Sequence, residues 1–435
     1  MSRVLIKACA AVAGLLFAAL LDASAQDNGT YSGYSPYSVY GTGIMHQGGT
    51  AYNRSMGGVG IAGRNNRFIN ILNPASITAR DSLSFMADFG LDGRASLFND
   101  GQYRSGFNLF NISDFVISFP IYKHSAFMVG ITPYSDVGYK FVTKNTTDAP
   151  GIAENGIRTS TVMGEGCIYQ FFAGAAVTLW NRLSLGGEYI LNFGSIERSS
   201  TDTYSSSDVL GQSQSYTFQV SGHTFKGGLQ YAQPIGNDVL TLGATYLLGT
   251  PMNGYVTYST ARVISGSSET PVEDESKLTG PRFGSEMGFG IGYQIADKYR
   301  FEVDYSLSDW SRAGFDAVPG LSNENFSAGK GFSVKAGMEY TPNRYDIRYY
   351  MRRVSYRAGV YYDKSYYSVN NLPVNDIGIS IGATFPVFRW YNGLTVGLQA
   401  GQRGVAGSGM VRERYFGFSL GANIFDIWFQ KPHYE

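Results

Sequence analysis

Along most of this chain, apolar residues fall at every second position. Leu183, Leu185, Tyr189, Leu191 and Phe193 share one parity, with Ser184, Gly186, Glu188, Ile190 and Asn192 between them. The pattern returns at Leu240, Leu242, Ala244, Tyr246 and Leu248, then at Met287, Phe289, Ile291, Tyr293 and Ile295, and again at Phe301, Val303, Tyr305 and Leu307. Further instances fill 332–340, 377–385, 394–400 and 416–424. A period of two puts alternate side chains on opposite faces of a strand, so the pattern predicts sheet throughout. Past the N-terminus, the longest apolar run is 171–180, broken by Gly174 and Thr178. That is too short for a membrane-crossing helix.

A soluble sandwich would alternate in the same way, so the residues between the apolar ones decide. They are largely Gly, Ser, Thr, Asn and Gln, and only 16% of the chain is charged, against roughly 25% in an ordinary soluble domain. Gly, Ser and Thr suit the crowded or watered inside of a barrel, while Leu, Val, Ile, Phe and Tyr suit lipid on its outside. Sheet inside hydrocarbon must close on itself, because every backbone group needs a partner. The fold class expected is therefore all-β, a transmembrane antiparallel β-barrel. Glycine (55 residues) and tyrosine (32 residues) are abundant, as such a wall requires.

The first 25 residues fit an export signal. Arg3 and Lys7 precede an apolar run over 8–21, and Ala23-Ser24-Ala25 supplies small residues for cleavage near Ala25. Signal peptide and barrel together predict the cell outer membrane of a Gram-negative envelope, with outer-membrane lipid and, during biogenesis, the barrel-assembly machinery as partners. Cys9 would leave with the signal, so the mature chain keeps only Cys167 and forms no internal disulfide. Lys+Arg and Asp+Glu both total 34, and that balance gives no field for nucleic acid.

Three segments follow: signal 1–25, a non-alternating stretch 26–80, and barrel 81–435. Spans of about 9–11 residues allow about 14 strands in the last, with 12 or 16 also compatible. Short turns are expected at 180–182, 234–237, 296–298 and 341–343, and longer polar loops at 143–159, 195–215, 265–281 and 311–329. The stretch 26–80 carries Gly57, Gly58, Gly60 and Gly63, and the last three match G-x-G-x-x-G. No βαβ unit follows, so a dinucleotide site is rejected, and the glycines instead permit tight turns in a confined space.

Asn73-Pro74-Ala75 stands just before the first alternating strand, expected at 82–91. A glycine-rich approach, this Asn-Pro-Ala element and then the first strand resemble the N-terminal hatch of the long-chain fatty-acid transporter family (FadL/TodX-like). Phe127-Met128-Val129-Gly130-Ile131-Thr132-Pro133 resembles that family's third strand, and Phe301-Glu302-Val303-Asp304-Tyr305 running to Asp309-Trp310-Ser311 resembles its Tyr-to-Trp strand ending. The resemblance implies a 14-stranded barrel whose lumen is plugged by a hatch containing Gly57, Gly58, Asn73, Pro74 and Ala75. It also implies passive uptake of long-chain fatty acids or other hydrophobic small molecules, with Pro133 as a kink that opens the wall sideways. The alternative within the same fold is a cargo-binding or accessory component of a protein secretion or surface-assembly system.

Charges on the lumen face are expected at Glu188, Glu302, Asp304, Lys335 and Glu339, as tuning groups or as halves of structural ion pairs. Ser221 and His223 share a face at a spacing that a nucleophile and its base could use, but no third orienting group is evident. No enzyme activity is expected. His46, His124, His223 and His433 show no ligand spacing, so no metal or other cofactor is expected either.

Overall fold

The computed structural model describes residues 31–80, 84–145, 156–206, 209–264, 267–268, 270–323, 325–387, 392–407 and 409–427. The expected signal and its cleavage site lie outside these residues. Fourteen strands form the wall: β1 Ser84–Asn99, β2 Arg104–Tyr122, β3 Ser125–Lys144, β4 Arg158–Leu179, β5 Leu183–Tyr204, β6 Gly211–Ile235, β7 Asp238–Leu247, β8 Ser285–Ile295, β9 Tyr299–Asp309, β10 Lys330–Tyr340, β11 Ser355–Val369, β12 Leu372–Pro386, β13 Gly393–Arg403 and β14 Arg412–Ile427. Each pairs antiparallel with the next, and β14 pairs with β1 from Arg412↔Asn99 to Ile427↔Ser84. The sheet is closed, so the wall has no free edge between β14 and β1.

The two faces separate as the alternation requires. Leu242, Ile291, Val303, Val360 and Ile379 stand in one cross-strand belt on the outside, all of them exposed. One residue along, Gly243, Gly290, Asp304 and Lys335 form the matching row on the inside. Apolar residues left bare in such a belt mark a surface meant for hydrocarbon. At the end carrying the short turns, Tyr299 stacks on Tyr340 with centroids 4.8 Å apart, as aromatics do at a membrane–water boundary.

Three connections differ from expectation, and a fourth, 265–281, carries the strand Val272–Lys277. The stretch 195–215 is not a loop, because β5 continues to Tyr204 and β6 resumes at Gly211. Hydroxyls pair across these strands, as Thr201 with Ser213 at 3.0 Å, so the ladder persists where the apolar alternation has stopped. The stretch 311–329 does not stand out into water. Its Phe315, Val318, Leu321 and Phe326 turn inward and join Trp310, Tyr37, Ile168 and Phe218 in a buried apolar cluster that fills the long-loop end of the lumen. The turn expected at 341–343 is a connection spanning 341–354, with a short 3₁₀ turn at Tyr350–Arg352.

Strand β6, with 25 residues, also stands well above β7, with 10. The upper half of β6 leaves β7 and pairs with Asn253–Ile264, which in turn pairs with Val272–Lys277. This hairpin extends the wall at the long-loop end and carries the acidic run Glu273-Asp274-Glu275, all exposed.

Residues 31–80 lie inside the barrel. Arg54 bonds Ser113 on β2, Arg64 bonds Ser184 on β5 and Gln230 on β6, Gly60 bonds Asp304 on β9, and Gly57 bonds Ser380 on β12. One short segment reaches strands on opposite sides of a closed wall only from within it. At the short-turn end its Ile69, Ile71 and Ile77 pack with Met86, Val116, Met128 and Phe425 of the wall.

Candidate functional site

Glycine on the lumen face is what lets the inner segment fit. A Cβ at Gly186 would run into the backbone of Pro74 and Ala75, one at Gly243 into Ile61, and one at Gly359 into Met56 and Gly57. Gly57 and Gly58 themselves hold φ of 76° and 78°, where a side chain is strained. The Gly57 amide donates to Ser380 Oγ at 2.7 Å and the Gly58 amide to the Asn53 carbonyl at 2.8 Å. Asn73 caps the 3₁₀ turn Pro74–Thr78: its Oδ1 accepts the Ala75 amide at 3.0 Å, and its Nδ2 donates to the carbonyls of Ile61 at 2.8 Å and Leu229 at 3.2 Å. Gly359→Val is therefore expected to destabilise the barrel by about 1–3 kcal/mol through overpacking. Val360→Ala, on the outer face of the same strand, should shift it by less than about 0.5 kcal/mol. Thermal unfolding in detergent measures both.

Four arginines lock the segment to the wall. Arg54 Nη2 lies 2.9 Å from Asp114. Arg357 Nε pairs with Glu339 at 2.7 Å, and its guanidinium sits 4.1 Å over the Tyr52 ring. Arg300 donates to the Tyr52 hydroxyl at 3.0 Å and stands 3.9 Å from Glu302. Arg403 pairs with Asp376 at 2.8 Å and with Glu413 at 3.5 Å, and Glu413 also accepts from Ser35 at 2.8 Å. The sequence pointed to Glu302 and Glu339 but not to these cations. Arg300 was legible in principle, two residues before Glu302 on one face. Arg357 needed the register that sets it opposite Glu339.

The remaining lumen charges divide between two surroundings. Asp304 accepts the amides of Gly60 at 2.7 Å and Ile61 at 2.9 Å, and its wall neighbour in register is Lys335. Glu188 lies opposite Lys226, whose Nζ donates to the Ile71 carbonyl at 3.4 Å. Lys335 and Glu188 both line a cavity of about 450 Å³ between the segment and the wall, with Ile71, Leu72, Phe172 and Phe332 as its apolar part.

That cavity reaches a seam. The β2–β3 ladder begins at the short-turn end and stops at Phe115↔Ile131, although both strands continue for more than ten residues. Beyond that point the described residues show no ladder between them. Against β4, β3 slips register between Pro133 and Ser135. The inner segment stands in the gap: Ile44–Met45 pairs with Ser135 and Asp136, the Ser35 amide donates to the Gly138 carbonyl at 2.8 Å, and Tyr34 stacks on Phe107 at 4.1 Å.

A second cavity, about 340 Å³, opens at the short-turn end between Arg64, Arg300, Arg344, Tyr293, Tyr345 and Asp297. Arg64 donates to Ser184 at 2.6 Å and Gln230 at 3.3 Å, both neutral. Burial pushes its guanidinium down to about 10, which leaves it a cation at neutral pH. Ser221 and His223 face outward and bond different partners: Ser221 Oγ donates to the Asn253 carbonyl and His223 Nδ1 bonds the Tyr189 hydroxyl. Among the described residues, no three His, Cys, Asp or Glu side chains converge as metal ligands.

The BamG family model matches residues 5–435. The chain belongs to the BamG family. Its fold is similar to that of the CymD monoaromatic hydrocarbon channel, at 16% identity and TM-score 0.59 over 86% of this chain and 97% of that one. It is similar to the P. putida toluene transporter TodX at 15% identity and TM-score 0.59, covering 88% and 100%. A Pseudomonas aeruginosa FadL homologue gives 12% identity and TM-score 0.54, covering 88% and 99%. No curated protein sequence matches. The resemblance to FadL and TodX thus holds for the barrel, while the family is BamG.

Proposed function

We propose that this BamG-family barrel is a non-enzymatic outer-membrane protein that serves as a docking component of a protein secretion or surface-assembly system and is not an open conduit. The observation that carries this reading is the closure of the lumen. An apolar cluster fills the long-loop end, the Arg54–Asp114 pair bonds the inner segment to the wall, and Arg300 and Arg357 of the wall, each beside a wall carboxylate, hold its Tyr52. The short-turn end, where the inner segment joins the wall, faces the periplasm, since barrels of this class keep their short turns there. In this reading the described inner segment, residues 31–80, is a fixed plug. Proteoliposomes holding the protein should take up labelled long-chain fatty acid and small sugars no faster than empty vesicles. Cells lacking it should lose surface-exposed proteins while keeping hydrophobic uptake. Uptake restored by the purified barrel alone would overturn the reading.

The seam favours a second reading, passive entry of a hydrophobic molecule sideways through the wall. Pro133 offers no amide to a β2–β3 ladder and sits where β3 slips register, so it is a natural place for the wall to part. The 450 Å³ cavity is lined from both sides of that gap. Two of the similar structures are named as a monoaromatic hydrocarbon channel and a toluene transporter, the class of molecule this reading would take. The same vesicle assay separates the two readings.

A further inference from the structure

The connection 341–354 is out of proportion to its neighbours. The turns 123–124, 180–182, 236–237 and 296–298 beside it have two or three residues, whereas this one has fourteen. It carries Arg344, Arg348, Arg352 and Arg353 against a single acid, Asp346. It is also built to hold its shape. Asp346 Oδ1 accepts the amides of Arg348 at 2.8 Å and Tyr349 at 2.7 Å, the Asn343 amide donates to the Arg352 carbonyl at 2.8 Å, and the Tyr350 hydroxyl donates to the Pro386 carbonyl at 2.9 Å. The Tyr349 amide, with that of Arg348 behind it, holds the Asp346 carboxyl below the usual carboxylate range.

On this frame the apolar and aromatic groups point outward. Ile347 is 91% exposed, Tyr345 58% and Tyr349 50%, and the guanidinium of Arg352 lies 4.8 Å over the Tyr349 ring. A rigid surface of exposed Arg and Tyr around one bare aliphatic residue has the composition of a binding hot spot. The loop's base forms one wall of the 340 Å³ cavity, where Arg344 meets Arg64 and the buried Arg300, with Asp297 the acid among the lining residues. Arg64 comes from the inner segment, so this cavity opens from the barrel mouth. Ala62 and Asn66 of the same segment also line it, and its arginines favour an acidic polypeptide arriving at that mouth.

We infer that the loop 341–354 and the arginine-lined cavity at its base form a docking surface for an acidic polypeptide segment of a periplasmic partner. Carboxylates of the segment enter the cavity toward Arg64 and Arg344, and its apolar side chains cover Ile347, Tyr345 and Tyr349. The inference rests on the docking reading above and names the partner's chemistry. The test uses the full chain in detergent with a fluorescent peptide of alternating Glu and Tyr, and a Lys–Tyr peptide of equal length as its counterpart. The acidic peptide should bind at least about tenfold more tightly and weaken as salt is raised, and Arg344→Glu with Arg348→Glu should cost it about tenfold or more. Arg348→Lys should retain most of the binding, and unchanged heat-dependent gel migration shows that the variants fold. In cells, a photoreactive residue at position 347 should crosslink to a peptide rich in Asp and Glu. Equal binding of both peptides, indifference to charge reversal, or a crosslink to lipid or to a second copy of this chain would overturn the inference. Fatty-acid uptake by the vesicles would overturn the docking reading and leave the peptide measurement to stand or fall by itself.

Discussion

Arg403→Met is expected to destabilise the folded barrel by about 3–5 kcal/mol, the cost of stranding buried charge. Arg403 is the only cation within ion-pair distance of both Asp376 and Glu413 among the described residues, and Glu413 is fully buried. The remaining partners of these acids are hydroxyls: Tyr415 donates to Asp376 at 2.6 Å, and Ser35 and Ser96 donate to Glu413 at 2.8 and 3.0 Å. Hydroxyls solvate a carboxylate but do not neutralise it, so methionine leaves two anions facing each other in a site shielded from water. Adding Asp376→Asn and Glu413→Gln to Arg403→Met should recover much of the loss, because the cost lies in unpaired charge more than in lost volume. Ser35 belongs to the inner segment, so Arg403→Met should also loosen residues 31–45 at the seam. The temperature at which the folded gel band gives way to the unfolded one reads the stability. Proteolysis of the inner segment reads the loosening. A transition unmoved in the single variant would show that the network is a bystander.

How much of this was legible in the sequence follows from what each feature depends on. The wall was legible because its rule is local: Leu183 and Leu185 face lipid whatever lies far along the chain, and the exposed belt of Leu242, Ile291 and Val303 is the alternation made visible. The inward placement of Glu302, Asp304 and Glu339 followed from the same rule. Their partners did not, since Arg357 reaches Glu339 only through strand register, and Gly60 reaches Asp304 across 244 residues. Loop placement failed for a different reason. At 195–215 the lipid contact ends before the ladder does, so the apolar signal fades while the strand continues. At 311–329 the apolar residues Phe315, Val318, Leu321 and Phe326 lack strand periodicity, and only the fold shows that they turn inward. The connection 341–354 was hidden by Thr341-Pro342-Asn343, which looks like a complete turn but only begins one.

Asp304→Ala should have the largest effect on permeability. The carboxylate accepts two successive amides at the glycine-rich turn of the inner segment, from Gly60 at 2.7 Å and Ile61 at 2.9 Å. Both donors are buried, and each left without an acceptor costs about 1–3 kcal/mol. The turn is otherwise held through its carbonyls: that of Ile61 accepts from Asn73 at 2.8 Å and from Gln230 of the wall at 2.9 Å, which leaves the two amides to Asp304. A Cβ at Gly290 would meet the Ala62 amide and Ile61, so the segment is pressed close to the wall beside the two amides that Asp304 holds. An asparagine at this position keeps one accepting oxygen and removes the charge, so Asp304→Asn should fall between wild type and alanine. The expected result is a segment that samples open states: a rise of about tenfold or more in ion conductance across a planar bilayer for Asp304→Ala, corresponding to a shift of about 1.4 kcal/mol in the closed–open balance. Glu188→Ala is the control. Its side chain lines the central cavity without holding a plug amide, so the same measurement should leave conductance near wild type. If both variants stay closed, the arginine contacts together with the Gln230 and Ser380 bonds hold the segment, and the Asp304 bonds merely shape its turn. If both leak equally, the lumen is sensitive to any lost acid, and the particular grip of Asp304 on Gly60 and Ile61 is not what keeps the barrel shut.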